Sequence, residues 1–389
     1  MSNHSLTLTD MEVLMEAQTT LQNAVPLSAE GYECGTDDLY RVLLGAAVQR
    51  STIEAVCAEM VSAPVGNTIR GYLNEQLRVE ELPELEERLN QALTAHLPER
   101  IRRQPRVIAM DMHDRPYYGK TDQEVGLWVR GRAKDGTTRF YRMATAYVII
   151  KGLRYTLALC FVLPEDKATT VIQQLWARVA ALAIPIQYLL LDRGFAGIDT
   201  QDYLDQQGLP AIIACPIRGK QGGTRALCRG RSSYRTQHTF SSSGGRKQRT
   251  AEVVVCRTFT TAKRTQRLKR RAMWQVFILI HLDLTPRQVR RCYRRRFGIE
   301  TSYRCASQVR GWTTSPNPVL RFLLMAVAVF LVNVWVWLRW RFTQIPRRGQ
   351  RLLNEQAFQL SRFARFITHQ LEEHYGVVRQ ITAVAAPLP

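Results

Sequence analysis

Between Ile186 and Leu191 the chain reads IQYLLL, and the next residue is Asp192. A nearly continuous apolar run of this length is the pattern of a strand buried on both faces. Such a strand needs helices packed over it, which directs the chain toward a layered α/β domain. The carboxylate at its end costs desolvation, and a cation or metal partner has to offset that cost.

The flanking segments supply the remaining layers. VIAMD is a short apolar strand running into Asp111, and TRFYRMATAYVIIKGLRYTLALCFVL reads as two long strands joined in a hairpin at Lys151-Gly152. A helix over 167–183 follows, then the strand to Asp192, a short helix over 199–207 and the strand PAIIACPI. The series predicts a five-stranded mixed sheet with helices on its faces, the element order of the ribonuclease H-like fold. In such an open sheet, polar groups at strand ends gather where the loops leave the core.

Ahead of the sheet, 37–97 shows apolar residues at three- and four-residue spacing. Within it, STIEAVCAEMVSAPVGNTIRGYL has the turn placement of a helix-turn-helix whose second helix, near Asn67–Leu73, would enter a DNA groove, although an ordinary helical bundle fits the pattern equally. After the sheet, 217–271 carries sixteen Lys and Arg against one acid, Glu252, with Gly/Ser-rich turns between strand-like pieces. It reads as a β-rich insertion whose surface suits a phosphate backbone, arginine favouring bidentate contacts. The expected division is a helical DNA-binding domain over 1–100 and the first part of the core over 105–216. The basic insertion follows over 217–285, then the core's C-terminal helices over 286–345 and a helical tail over 346–389.

The formal net charge of +21 over 389 residues favours a polyanionic partner, most simply nucleic acid. The stretch Phe322–Leu338 is apolar except for Asn333 and falls just short of a membrane span. It is expected to be a buried core helix, since nothing else in the chain is membrane-like. No secretory leader is evident, so the expected location is the cytoplasm, in association with the nucleoid. Eight scattered cysteines with no zinc spacing are expected to be reduced and structural.

Asp111 and Asp192 end apolar strands, and Glu300 is the single acid between Asp283 and Glu355. If VRRCYRRRFGIETSYRCASQV is one helix, Tyr293, Arg296 and Glu300 share a face, and Arg304 continues the stripe. Three carboxylates from two strand ends and a late helix make a site for two Mg²⁺ ions, or Mn²⁺, and the absence of Cys/His clusters argues against zinc. Asp114, Asp122 and Glu124 are nearby alternatives on what reads as a polar loop.

These residues resemble a known family. DRGF after an apolar strand, DMHDRPYYGK at the exit of the first strand and YRRRFGIETSYR late in the chain are similar to the DDE transposases of bacterial and archaeal insertion sequences, specifically the insertion-sequence-four superfamily. That superfamily carries Tyr, two residues, Arg, three residues, Glu, six residues, Lys around its catalytic glutamate. Tyr293, Arg296 and Glu300 match the spacing, and Ser307 stands where the lysine is expected, with Arg304 or Arg310 as substitute cations.

The resemblance covers about residues 105 to 340. It implies a ribonuclease H-like core with a β-strand insertion, and Asp111, Asp192 and Glu300 as catalytic residues and metal ligands. Tyr293 and Arg296 would contact phosphates, and the chain would bind inverted-repeat ends and carry out cleavage and strand transfer as a dimeric synaptic complex. A nuclease or resolvase of the same fold, or a transposase-derived DNA-binding protein that no longer cuts, is the competing expectation.

Overall fold

The computed structural model describes residues 7–119, 126–150, 153–219, 222–242, 244–264, 267–345 and 352–380, with side chains described except at 153–154, 260–264, 267–271, 297–301 and 352. The chain forms two compact units, one from the residues up to Leu97 together with those from Ser302 onward, the other from Pro98–Tyr118 and Leu127–Thr301.

The first unit is helical. It opens with α1 (Asp10–Ala24), whose start is fixed by a capping box in which Thr9 and Glu12 satisfy each other's backbone amides. Four helices follow: α2 (Thr36–Val48), α3 (Ile53–Glu59), α4 (Gly66–Gln76) and α5 (Leu82–Thr94). The segment expected to form a helix-turn-helix is α3 and α4, and the single cation of α4, Arg70, is tied to Glu54 at 2.5 Å.

The second unit is built on one nine-stranded mixed sheet. Its strands are β1 (Arg106–Pro116), β2 (Val129–Lys134), β3 (Thr137–Ile150) and β4 (Leu153–Val162), followed after helix α6 (Ala168–Ala181) by β5 (Ile186–Leu191). Helix α7 (Ile198–Gln206), β6 (Ala211–Cys215), β7 (Tyr234–Ser241), β8 (Gln248–Arg264) and β9 (Arg267–Ile280) complete it. The order is β2-β3-β1-β5-β6-β9-β8-β7, with β4 also on β3. β1 runs parallel to β5, and β5 to β6; the other pairings are antiparallel. Leu189, Leu190 and Leu191 are fully buried, as a strand between two parallel neighbours requires.

Nine strands replace the expected five because the basic segment pairs into the same sheet, β9 lying antiparallel on β6. β2, an additional strand, joins β3 through Asp135 and Gly136, both at positive φ (53° and 78°), the backbone of a primed hairpin turn. β3 and β4 are paired up to Ile150 and Leu153, and the expected turn residues Lys151 and Gly152 lie outside the described residues.

The expected single helix around Glu300 is broken. Helix α8 (Pro286–Tyr293) gives way to a 3₁₀ turn at Arg294–Arg296 before α9 (Phe297–Ala306). A mid-helix stretch of 3₁₀ marks local strain or a functional constraint, and here it falls on the arginine that turns inward to two carboxylates.

In the helical unit, the expected core helix is α10 (Pro318–Phe342), followed by α11 (Leu360–Tyr375). α10 is long and apolar enough to cross a membrane, yet 89% of its most apolar window is buried inside the fold. Asn333, its one interior polar residue, donates from Nδ2 to the Leu93 carbonyl at 2.9 Å, which satisfies an amide that lipid could not. All eight cysteines are free thiols.

Candidate active site

The register of two neighbouring strands assembles the site. Met110 of β1 lies opposite Leu191 of β5, so the next residue of each, Asp111 and Asp192, lies at the same level on neighbouring strands, where β5 ends. Asp111 does not end its strand as expected: β1 runs on to Pro116 because 111–116 stay paired with β3, Asp111 facing Thr145, and its Oδ1 accepts from the Met112 amide at 3.0 Å. Asp192 has left the sheet: its carbonyl accepts from Phe195 N–H at 3.0 Å and starts a 3₁₀ turn over Arg193–Phe195.

The 3₁₀ turn after α8 delivers the cation. Arg296, 8% exposed, places Nη1 3.3 Å from Asp111 Oδ2 and Nη2 3.4 Å from Asp192 Oδ1. One guanidinium therefore bridges a carboxylate in mid-β1 and one just past the end of β5. Both distances exceed the roughly 2.7–2.9 Å of a charge-assisted hydrogen bond, so neither pair is tight.

Tyr293 forms the wall of this arrangement. Its hydroxyl donates to the Leu191 carbonyl at 3.3 Å and to Asp192 Oδ1 at 3.4 Å, and its ring packs against Phe277 with centroids 4.7 Å apart. The Arg296 guanidinium lies 5.4 Å from the ring centroid, a cation–π contact. Burial holds the phenol above its ordinary range despite the neighbouring Arg296 charge, so Tyr293 stays a neutral donor.

The other expected site residues are distributed as follows. Glu300 belongs to α9 and its side chain lies outside the described residues. Arg304 is exposed near the end of α9, whereas Arg310 is 9% exposed. The hydroxyl of Ser307, where the resemblance expects a lysine, donates to the Tyr303 carbonyl at 2.8 Å, a bond within its own turn. Asp114 sits in β1, not on a loop, and is held by Arg142 through two contacts of 2.6 and 3.0 Å. Asp122 and Glu124 lie outside the described residues.

The bridging role of Arg296 had no local signal. Its partners are remote in the chain: the Tyr293-Arg296-Glu300 spacing singles Arg296 out of the run Arg294–Arg296, but as a phosphate contact and not as a bridge between two aspartates.

Two carboxylates brought together on neighbouring central strands are hard oxygen donors, suited to Mg²⁺ or Mn²⁺, and a guanidinium placed between them marks the point where positive charge is favoured. Among the described residues, no three His, Cys, Asp or Glu side chains gather as a metal site. A full ligand set would need a third group.

A family model for the transposase DDE domain matches residues 102–332, more than half of the chain. Among curated proteins, no sequence match is found. Among solved structures, the fold is similar to that of a piggyBac transposase in a synaptic complex with hairpin DNA, with a TM-score of 0.55 at 11% identity over 96% of this chain and 79% of that one. The family model covers more than half of the chain: the chain belongs to the family defined by the transposase DDE domain.

Proposed function

We propose that this protein is a DNA transposase of the insertion-sequence-four superfamily, binding the inverted-repeat ends of its element and catalysing metal-dependent cleavage and strand transfer. The observation that carries the reading is the bridge from Arg296 to Asp111 and Asp192. Two carboxylates that meet around one cation are hard oxygen donors of the kind that metal-dependent phosphoryl transfer uses. The path β4-β3-β1-β5-β6, three antiparallel strands and then two parallel ones, supports a ribonuclease H-like core within the sheet.

On this reading Asp111, Asp192 and Glu300 are the metal ligands and catalytic residues. Two divalent ions, when bound, would supply the charge that activates an attacking oxygen and stabilises the departing one. Arg296 would leave the carboxylates and hold a DNA phosphate near the scissile bond, with Tyr293 positioning it from beneath. Arg304 and Arg310 would supply phosphate contacts in place of the missing lysine, the helical N-terminal region and the basic strands β7–β9 would hold DNA, and joining two ends would require a dimer. The expected setting is the cytoplasm, on the nucleoid.

The test is a joining assay. Purified protein with Mg²⁺ and a duplex carrying the repeat that flanks the gene should both nick that end and join it to a second duplex. Nicking without joining would make the protein a nuclease of the same fold, and neither activity would leave a DNA-binding protein.

A further inference from the structure

The sheet face that carries Asp111 continues outward onto the β2–β3 hairpin. Residues opposite each other on antiparallel strands share a face, and the face alternates along each strand. Asp111 lies opposite Thr145, and Arg139, six residues before Thr145 on β3, lies opposite Arg130 of β2. The even spacing puts Arg139 and Arg130 on the Asp111 face. Trp128, just ahead of β2, joins them, its ring centroid 5.8 Å from the Arg130 guanidinium and 5.6 Å from that of Arg139.

The hairpin is cationic and open to solvent. Arg130, Arg132 and Lys134 are exposed, and among the described residues they form no ion pair. The stretch 127–141 carries four cations against one acid, Asp135 in the turn. On the opposite face, by contrast, Arg142 is tied to Asp114 at 2.6 Å. The Tyr118 hydroxyl donates to the Asp135 carbonyl at 2.6 Å and anchors the turn. The register shifts between Arg130 and Lys134, and a side chain at Gly131 would meet the Phe140 ring at 3.0 Å, the kind of edge irregularity that re-aims side chains. Cations on an edge strand also guard it against pairing with another chain, but guarding does not call for a tryptophan ring between two arginines.

We propose that this hairpin is a nucleic-acid contact, in which Arg130, Arg132 and Lys134 take phosphates of the duplex arm that leaves the carboxylates, and Trp128 holds the Arg130 and Arg139 guanidiniums toward it. Charge complementarity selects the partner: an unpaired cationic edge on the Asp111 face suits a polyanion. Six residues along β3 at ~3.3 Å each and two strand spacings of ~4.8 Å put the contact roughly 20 Å from Asp111, about six base pairs of duplex. β2 lies on the other side of β1 and β5 from the basic strands β7–β9, so the sheet offers DNA a surface on both flanks of the aspartates. The inference rests on the reading that the protein binds DNA, and it adds a surface outside the helical unit and β7–β9.

Two variants of the full chain test it, the triple change Arg130→Gln, Arg132→Gln, Lys134→Gln and the single change Trp128→Leu. With a duplex of arbitrary sequence, the triple variant should bind at least tenfold more weakly, with a salt slope smaller by about 2 to 3, and should melt within about 2 °C of wild type. Trp128→Leu, which leaves the charge unchanged, should bind about fivefold more weakly with the slope of wild type. On the repeat-end duplex, ethylation of phosphates about six base pairs from the cut should weaken binding by wild type and not by the triple variant. Duplex binding and slope equal to wild type in the triple variant overturn the contact, and self-association of that variant alongside unchanged binding would make the cations guards of the strand edge only. Interference by the same phosphates in wild type and variant overturns the placement. Wild type that binds no duplex at any salt concentration would fail the DNA reading itself, a result distinct from a variant that matches a binding wild type.

Discussion

The Arg296 guanidinium reaches Asp111 Oδ2 at 3.3 Å across 185 residues of sequence, and its other terminal nitrogen reaches Asp192. Removing it leaves two carboxylates facing each other in a partly buried site. Arg296→Met is therefore expected to lower stability by about 2–4 kcal/mol, toward the cost of breaking a buried pair, and Asp111→Asn in the same background should recover part of it. Thermal unfolding of the two variants checks both statements.

The same contact predicts a competition. If Arg296 occupies the place of a metal ion, Arg296→Met should bind Mn²⁺ more tightly than wild type when no DNA is present, because no guanidinium has to be displaced. Calorimetric titration of DNA-free protein reads this directly. Equal or weaker Mn²⁺ binding in the variant would remove the cation-exchange argument.

Helix α10 is predicted to behave as protein core. Leu323 is fully buried, and Leu323→Ala should cost about 2–5 kcal/mol, the range for a leucine removed from a packed interior. Asn333→Leu should cost about 1–3 kcal/mol by removing the buried hydrogen bond from Nδ2 to the Leu93 carbonyl. Loss of both effects in urea unfolding would mean that α10 does not pack as described.

Alkaline pH should destabilise the fold. Burial pushes the thiols of Cys57 and Cys215 up to about 12 and that of Cys256 to about 11, from 9.0. Folded-state values raised in this way give stability that is complete below pH 9 and is lost as pH rises toward 11 to 12, because the unfolded chain releases protons that the folded one keeps. Each such thiol contributes up to about 1.4 kcal/mol per pH unit in that window. Denaturation midpoints between pH 8 and 11 should fall accordingly, with the three thiols unreactive until unfolding.

How much was legible follows the range of the interactions. IQYLLL before Asp192 and VIAMD at Asp111 were readable because burial on both faces leaves a local apolar signature. Helix α1 and strand β2 were missed although local signals existed, the Thr9–Glu12 capping box and the Asp135-Gly136 turn. The pairing of β9 with β6, the gathering of the first and last helices into one unit and the choice of Asp111 and Asp192 as partners of Arg296 join distant segments, and no local pattern encodes them. The single helix expected through Glu300 is interrupted by the turn at Arg294–Arg296, just ahead of Gly298, which weakens a helix interior and was a local signal against one continuous helix.

The most direct test is single-turnover cleavage of a repeat-end duplex in Mg²⁺ by wild type, Asp192→Asn, Glu300→Gln and Asp114→Asn. If Asp192 and Glu300 hold the metal ions, their variants should lose about a thousandfold or more in rate while still binding the duplex. Asp114→Asn, which removes a carboxylate already committed to Arg142, should retain cleavage. Cleavage at the wild-type rate by Asp192→Asn or Glu300→Gln would contradict the account.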